Sequence, residues 1–235
     1  MKDEWMTKQI GKLVYKLNVN GFEFQKFHLD WDNFIKDRSK KPFFVYTKIS
    51  TNYVEFWQCL EKANFMLIDT NLQFELKGMI SNKKSLKKDV KIIIANESHK
   101  ESASLIAYNN FIYSRFHLDP LIENKIANQL KLNWVKNYFL GKRGDAMVIA
   151  LINGQPVGFL QLIINKQELI IDLIGVDKEA QGNGVASGMI QFITENFRYR
   201  FIRVGTQVSN IPSIKLYQKL GFVLTGSDYV FHYHS

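Results

Sequence analysis

A turn with two glycines in the C-terminal third of the chain carries the most specific chemical signal. Residues 181–186 read Gln-Gly-Asn-Gly-Val-Ala, between an apolar run at 169–176 and an amphipathic stretch that predicts a helix over 184–197. Glycines allow the backbone to approach a ligand closely, and free N–H groups at the start of a helix attract negative charge. The pattern therefore predicts a pyrophosphate-binding turn, although a purely structural tight turn would have a similar composition.

Two familiar phosphate-binding motifs do not fit this turn. A P-loop needs Lys and Ser or Thr after its last glycine, whereas Gly184 is followed by Val185. The dinucleotide fingerprint needs a third glycine at the position of Ser187, and the next glycine comes one residue later at Gly188. The turn therefore does not indicate a nucleotide triphosphatase or a dinucleotide-dependent enzyme.

A second patterned segment follows at residues 210–222. It places Asn210, Ser213 and Tyr217 at spacings of three and four residues and ends in a Gly-Phe pair. Together with the turn, it resembles the GNAT superfamily of acyl-CoA-dependent N-acetyltransferases, whose hallmarks are Q/R-x-x-G-x-G/A and N-x-x-A-x-x-x-Y-x-K-x-G-F. Serine at the usual alanine position is a small departure. The resemblance covers about residues 90–235.

The resemblance implies an α/β (α+β) GNAT fold, with a mixed, mostly antiparallel central sheet flanked by helices. It also implies acetyl-CoA as co-substrate, with the pyrophosphate on the backbone N–H groups of residues 182–186. The pantetheine arm would pair with the strand ending at Val176, which would splay from a neighbouring strand at 201–206. The cofactor-binding residues implied are Ile174, Gly175, Val176, Gln181, Gly182, Asn183, Gly184, Val185, Ala186, Asn210 and Ser213.

Two side chains are candidates for proton transfer. By resemblance, Tyr217 would protonate the leaving thiolate, although it could simply be a core residue of the last helix. Asp172 is a carboxylate inside an apolar strand, where burial could raise its pKa and make it a base for the acceptor amine. Asp172 could equally be paired structurally, and Glu168 or a chain of water molecules could serve instead.

The acceptor is predicted from the segment between two predicted helices, which reads Ser-Arg-Phe-His-Leu-Asp-Pro at 114–120. Arg115 could hold a phosphate through two hydrogen bonds, His117 could bind a hydroxyl or relay a proton, and Asp119 could cap the next helix. Alternatively, Arg115 and Asp119 could pair and brace the loop.

This segment, the N-terminal region and the phrase IIDLIGV resemble acetyltransferases of the dTDP-fucosamine type. The resemblance implies direct acetyl transfer to the amino group of a nucleotide-linked 4-amino-4,6-dideoxyhexose, in polysaccharide biosynthesis. Two alternatives stay open: acetylation of a protein, peptide or small amine, and a non-catalytic module that binds acyl-CoA.

Two domains are predicted: a smaller N-terminal α/β subdomain at 1–85 and a catalytic domain at 86–235, with a lysine-rich boundary. The N-terminal region reads as a βαβ-like unit, with a strand at 43–50, a helix capped by Ser50 or Thr51, and a strand from Phe65. In the second region, the predicted strands cover 90–95, 145–152, 157–164, 169–176, 201–207, 222–226 and 228–234, and the predicted helices cover 100–113, 120–138, 184–197 and 211–220.

The composition restricts the kinds of partner and cellular compartment that we expect for this protein, but it does not identify the function. The formal charge of +9 suits an anionic substrate, and the lysine run at 83–91 lacks the interleaved aromatics of a nucleic-acid surface. The single cysteine, Cys59, excludes an internal disulfide and suits a reducing compartment. With no apolar stretch of bilayer length, we expect a cytoplasmic protein, without nucleic-acid partners, and a homodimer is possible. His232 and His234 alternate with aromatics as in a strand, and no metal site is expected.

Overall fold

The computed structural model describes residues 1–18, 26–38, 41–80 and 89–235. Within them, nine strands form one sheet in the order β1-β2-β9-β3-β8-β7-β6-β5-β4. The strands are β1 (Leu13–Lys16), β2 (Phe43–Ser50), β3 (Met66–Lys77), β4 (Val90–Ile94), β5 (Ala146–Ile152), β6 (Gln155–Asn165), β7 (Glu168–Val176), β8 (Phe201–Gln207) and β9 (Val223–His234). The helices are α1 (Glu4–Ile10), α2 (Phe27–Arg38), α3 (Val54–Lys62), α4 (Lys100–Asn110), α5 (Asn124–Phe139), α6 (Val185–Asn196) and α7 (Ile211–Lys219).

The sheet is mixed and mostly antiparallel, as the family resemblance implies. The pairs β1–β2 and β7–β8 are parallel, and the other six neighbouring pairs are antiparallel. Strands β5 and β6 form a hairpin, in which Asn153 and Gly154 have φ of 51° and 78°. Positive φ at both central residues is what a tight two-residue turn between twisted strands requires.

Helices cover both faces of the sheet because consecutive strand residues point to opposite sides. Leu160 packs with α6 and α7, whereas its neighbour Phe159 packs with α4 and α5. In the N-terminal part, Phe43 packs with α2 and α3, and its neighbour Phe44 packs with α1 and α5.

The N-terminal strands are interleaved with the C-terminal ones. Strand β3 lies between β8 and β9, and β9 in turn separates β3 from β2. The strand–helix–strand order predicted there is present, but its two strands are not neighbours. The predicted domain boundary at residue 85 and most of the lysine run lie outside the described residues.

Several predicted element boundaries are wrong. The two predicted final strands are one strand, β9, whose pairing with β3 shifts register near Gly226. The helix expected from residue 120 begins at Asn124, after a Pro-containing turn. Helix α3 follows Tyr53, which makes no side-chain capping bond within the described residues, so Ser50 and Thr51 are not its caps. Strand β1 and helices α1 and α2 were not predicted.

Candidate functional site

Strands β7 and β8 separate partway along their length. Their parallel pairing runs from Glu168 opposite Phe201 to Ile171 opposite Val204. Beyond it, β7 continues to Val176 and remains paired with β6, whereas β8 remains paired with β3. In the described strands, the second half of β7 therefore presents one backbone edge without a strand partner, which an extended ligand with amide groups could pair with.

The glycine turn lies just beyond the open end of this gap. Gly182 and Gly184 have φ of 77° and 82°, and no described atom lies within 4 Å of where a Cβ would be. The Gln181 side chain donates to the carbonyl of Val176 at 3.1 Å and ties the turn to β7. Helix α6 begins at Val185, directly after Gly184, and its first N–H groups receive no side-chain cap because that residue has no side chain. This local geometry is suited to bind an anion.

Gly175 on β7 is needed for close packing rather than for an unusual backbone conformation. A Cβ at this position would lie 2.8 Å from Phe159 and 3.3 Å from Phe111. Phe111 therefore covers the part of β7 that borders the gap.

Tyr217 lies inside the core between the sheet and α7. Its ring contacts Phe74 and Phe222 at centroid distances of 5.8 and 5.6 Å, and 2% of the residue is exposed. Burial raises the pKa of Tyr217, and a hydrogen bond with Ser213 opposes part of that rise. The phenol therefore stays protonated at neutral pH, which a proton donor requires. The same burial is also what a purely structural core residue would show.

Asn210 caps helix α7. The Asn210 side chain accepts a hydrogen bond from the Ser213 backbone N–H at 3.3 Å. This bond satisfies one of the free donors at the helix start and fixes the orientation of the helix that carries Tyr217. The motif spacing thus has a structural explanation besides coenzyme binding.

Asp172 is the extra residue of a β-bulge, since Gln161 pairs with Leu173 and Leu162 pairs with Ile171. The bulge stands where β7 leaves β8. The Asp172 carboxylate accepts two bonds from Arg143, at 2.6 and 2.7 Å, and one each from Trp134 and Gln161 at 3.0 Å. Of the two roles that the sequence leaves open, this geometry favours the structural pair, because the oxygens are occupied by donors.

Arg115 lies on a cavity of about 420 Å³ that α1, β2 and α5 enclose. Its guanidinium is 4.1 Å from the centre of the Tyr46 ring. Lys142 and Arg143 also line the cavity, together with Trp5, Trp134 and the acidic Asp3. Cationic and aromatic side chains therefore share one cavity, and its Arg143 is bonded to Asp172 at the start of the gap.

His117 is held by its own loop. Its Nε2 is 2.8 Å from Asn128 Oδ1, which can only accept, so Nε2 carries the proton and Nδ1 accepts from the Ser114 hydroxyl at 2.6 Å. Burial lowers the pKa of His117, and the bond to Asn128 opposes this. The imidazole also lines a cavity of about 250 Å³ whose other residues are Asn109, Phe111, Ile112, Asn124 and Asn128.

The expected roles of Asp119 are wrong. It neither caps α5 nor pairs with Arg115; instead one oxygen accepts from the N–H of Leu121, and the other accepts from His232 at 2.6 Å and His234 at 2.7 Å. These three side chains could in principle hold a metal ion. Lys12, however, lies 2.9 Å from Nδ1 of His234, and its ammonium would disfavour a cation there. We therefore describe the group as a hydrogen-bonded clamp between the loop and β9.

Lys131 is a residue that the sequence analysis missed. It lies on α5, 8% of it is exposed, and its ammonium is 5.0 Å from the centre of the Phe111 ring and 4.9 Å from that of Trp134. Its place on the buried face of an amphipathic helix was the available signal, because lysine is rarely buried without a partner.

Comparisons with known proteins agree with this geometry. Residues 111–222 match the acetyltransferase (GNAT) family. This segment is therefore similar to the GNAT acetyltransferase domain. Proteins of the GNAT family use acetyl-CoA as co-substrate. The GNAT match covers both the glycine turn and the Tyr217 helix.

One curated relative is the spore coat polysaccharide biosynthesis protein SpsD of Bacillus subtilis, 30% identical over 135 residues. The alignment covers 56% of this chain and 46% of that protein, so the chain spans about half the length of this relative.

Solved structures support the GNAT fold over nearly the whole chain. A GCN5-related N-acetyltransferase from Sphaerobacter thermophilus superposes with a TM-score of 0.65 at 13% identity, covering 96% of this chain and 73% of that one. A tandem GNAT protein from the clavulanic acid biosynthesis pathway, solved without AcCoA, gives 0.60 at 9% identity, covering 94% and 75%. None of the helices in the described part of the chain combines the length and apolar character needed to cross a membrane.

Proposed function

We propose that this chain is an acetyl-CoA-dependent N-acetyltransferase that transfers the acetyl group directly to the amino group of a nucleotide-linked amino sugar. The observation that carries the chemistry is the gap between β7 and β8, with the glycine turn at its open end. In this proposal, the backbone of Ile174, Gly175 and Val176 pairs with the pantetheine arm. The N–H groups of residues 182–186 hold the pyrophosphate, and Gln181 fixes the turn.

The cavity that contains Arg115 supports an anionic acceptor. Three cationic side chains, Arg115, Lys142 and Arg143, line the cavity with one acid, Asp3, and among the described residues only Arg143 of the three is paired with another carboxylate, that of Asp172. Arginine binds phosphate through paired hydrogen bonds, and aromatic walls suit a nucleobase or a sugar ring. A polyamine would be repelled by the same lining. The name of the Bacillus subtilis relative, in spore coat polysaccharide biosynthesis, supports a sugar acceptor.

We propose that the cavity beside His117 binds the sugar part of the acceptor. The cavity beside His117 carries three asparagine amides and the Phe111 ring, groups that suit sugar hydroxyls and an apolar sugar face. A 4-amino-4,6-dideoxyhexose is the sugar type proposed, by resemblance. A cytoplasmic location and a homodimer are also part of the proposal, and the single cysteine supports a reducing compartment.

The test is thiol release from acetyl-CoA across dTDP- and UDP-linked amino sugars, with peptides and polyamines alongside. Turnover with a nucleotide amino sugar, at rates well above the other acceptors, is the expected result. Turnover confined to peptides or polyamines would remove the sugar acceptor but keep the chemistry. Absence of acetyl-CoA binding in a calorimetric titration would remove the enzymatic function altogether.

Replacement of Arg115 tests the acceptor cavity. We expect Arg115→Ala to raise the Michaelis constant for the nucleotide sugar about tenfold or more, since a charged hydrogen bond contributes ~1.5–3 kcal/mol. The constant for acetyl-CoA should stay unchanged. Arg115→Lys keeps the charge but not the planar fork, so it should recover only part of the loss. A lowered melting temperature with an unchanged acceptor constant would show that Arg115 only braces Tyr46.

A further inference from the structure

Lys131 lies next to one aromatic ring from each of the two cavities described above. Of the two rings that flank its ammonium, Phe111 lines the amide-rich cavity and Trp134 lines the cationic one. Phe111 also packs against Gly175 on β7, and Trp134 is bonded to Asp172 at the bulge. Among the described residues, only the Phe111 ring therefore separates the Lys131 amine from β7, the strand whose free edge is proposed to bind the acetyl donor.

The charges around Lys131 are mostly of its own sign. Arg115 from the loop, Arg143 after α5 and Lys48 from β2 all act on it, and Asp172 is the acid that opposes them. The carboxylate of Asp172 is already occupied by Arg143, and no described residue forms a hydrogen bond or an ion pair with the Lys131 amine. The positive charge of Lys131 in turn lowers the pKa of His117. A lysine in such surroundings favours its neutral form.

We infer that Lys131, whose amine lies between the rings of Phe111 and Trp134, is the proton acceptor for the amino group of the acetyl acceptor and contacts that group directly. This inference rests on the proposed function and supplies the base that Asp172 does not. Burial lowers the pKa of Lys131 to about 7, and the positive charge of Arg115 acts in the same direction. Near neutral pH, a substantial fraction of Lys131 then carries a free lone pair.

The proton transfers balance as follows. The lone pair on Lys131 Nζ takes one proton from the acceptor ammonium, which leaves a neutral amine and a lysine ammonium. The amine nitrogen attacks the thioester carbonyl carbon, a C–N bond forms and the C–S bond breaks. The leaving sulfur receives a proton from Tyr217, and the second proton of the attacking nitrogen returns to the phenolate through solvent. Lys131 releases its proton to solvent before the next turnover.

Two substitutions separate a base from a fixed positive charge. Lys131→Met keeps an unbranched chain that packs well between aromatic rings. Lys131→Arg keeps the charge but cannot accept a proton at neutral pH. Both variants should lower kcat on the order of 10²–10⁴-fold, the usual contribution of a positioned base, while acetyl-CoA affinity and melting temperature stay close to the parent values.

The pH profile of kcat gives a readout that a structural role would not move. The parent rate should rise with pH up to about 7 and then level off. Asp172→Asn should move this rise to lower pH, because the charge that raises the pKa of Lys131 is removed and Arg143 is left unpaired. The pKa of the acceptor amine is a property of the substrate, and we expect its contribution to the pH profile to be the same in every variant.

A measurement on the resting protein completes the test. Lysine labelled with ¹³C at the ε position gives one titrating signal per residue, and the signal lost in Lys131→Met identifies Lys131. Titration near pH 7 supports the inference, and titration above pH 9 overturns it. Full activity of Lys131→Arg, or a raised acceptor constant without a fall in kcat, would also overturn it, since either result would make Lys131 an anion ligand.

Failure of the inference and failure of the proposed function give different results. If no amine in the acceptor panel is acetylated, the proposed function fails, and the inference fails with it even if Lys131 titrates near pH 7. If a nucleotide amino sugar is acetylated while Lys131→Met keeps kcat within about threefold of the parent value, the function stands and the inference falls.

Discussion

At the scale of single residues, Tyr217 is a buried core residue for which a catalytic role is also proposed. Its ring fills the space between Phe74 and Phe222, and its hydroxyl is bonded with Ser213. Since burial raises the pKa of Tyr217, the phenol is protonated at neutral pH and can donate a proton to a leaving thiolate. The phenyl ring alone is enough for the packing role.

Tyr217→Phe therefore distinguishes the two roles. We expect kcat to fall on the order of 10²-fold or more, since the variant keeps the packing but cannot protonate the sulfur. The acetyl-CoA dissociation constant, measured by calorimetry, should stay within a factor of two or so of the parent value. Tyr199→Phe is the matched control, because the Tyr199 hydroxyl donates to the carbonyl of Gly78 away from the gap. Equal kcat for both variants would leave Tyr217 as a core residue alone.

His232 links the stability of the chain to pH. It is fully buried and donates through Nδ1 to Asp119, while its Nε2 has no hydrogen-bond partner among the described residues. Burial lowers the pKa of His232 to about 4, from about 6.5 in the unfolded chain, and the bond to Asp119 opposes this. Burial alone would raise the pKa of Asp119, but the bonds from His232 and His234 hold it well below its usual range.

The free energy of unfolding should therefore fall as the pH drops from about 6.5 to about 4. In this window the unfolded chain binds a proton at His232 that the folded chain does not, which costs about 2–3 kcal/mol in total. Asp119 adds a further loss only below about pH 4, where the unfolded carboxylate becomes protonated. Urea denaturation at several pH values measures both effects.

His232→Asn removes the titration but keeps an amide donor for Asp119. We expect a flatter dependence of stability on pH between 4 and 6.5, whereas the exposed His28→Asn should keep the parent slope. An unchanged slope in His232→Asn would mean that His232 is not the group that titrates.

At the scale of elements, the turn before α6 combines a left-handed backbone with an uncapped helix start. Gly184→Glu adds both a Cβ in a strained conformation and a negative charge where the pyrophosphate is proposed to lie. We expect acetyl-CoA affinity to fall at least about tenfold, because ~1.4 kcal/mol of repulsion already has that effect. Isothermal titration calorimetry gives the dissociation constant.

The control for this variant is Gly141→Glu. Gly141 also has a positive φ, of 64°, with no described atom within 4 Å of a Cβ, and it lies at the end of α5. Strain of about 1–2 kcal/mol is common to both variants, so a loss of affinity in Gly184→Glu alone isolates the ligand effect. Equal affinity in the two variants would place the pyrophosphate elsewhere.

At the scale of the whole molecule, strand order makes the two halves of the chain interdependent. Strand β3 pairs with β8 over seven residues and with β9 on its other side, and it contributes Phe74 and Leu76 to the main core. Without β3, strands β8 and β9 would each expose an unpaired edge, which favours aggregation. The predicted N-terminal subdomain therefore supplies an internal strand of the sheet.

We expect residues 89–235 expressed alone to be insoluble or unfolded by circular dichroism and by the dispersion of amide NMR signals. Co-expression with residues 1–88 as a separate chain should restore a folded complex that binds acetyl-CoA, since the missing strand can pair from another chain. A folded fragment 89–235 that binds acetyl-CoA on its own would show instead that the C-terminal part is an independent domain.

The sequence by itself determined what depends on neighbours along the chain. The turn at 181–186 is a local feature, and helix and strand periodicity placed most C-terminal elements within a few residues. The family resemblance then predicted the fold class and implied acetyl-CoA as the co-substrate.

Only the tertiary structure decided the features that join distant residues. Asp172 meets Arg143 across 29 positions, and Asp119 meets His232 across 113, so no local pattern marks either pair. The insertion of β3 between β8 and β9 depends on the free energy of strand pairing summed over the whole sheet. Local residue propensities do not contain this information. Lys131 also could be recognised only from the tertiary structure, because its burial between two aromatic rings, and not its residue type, lowers its pKa.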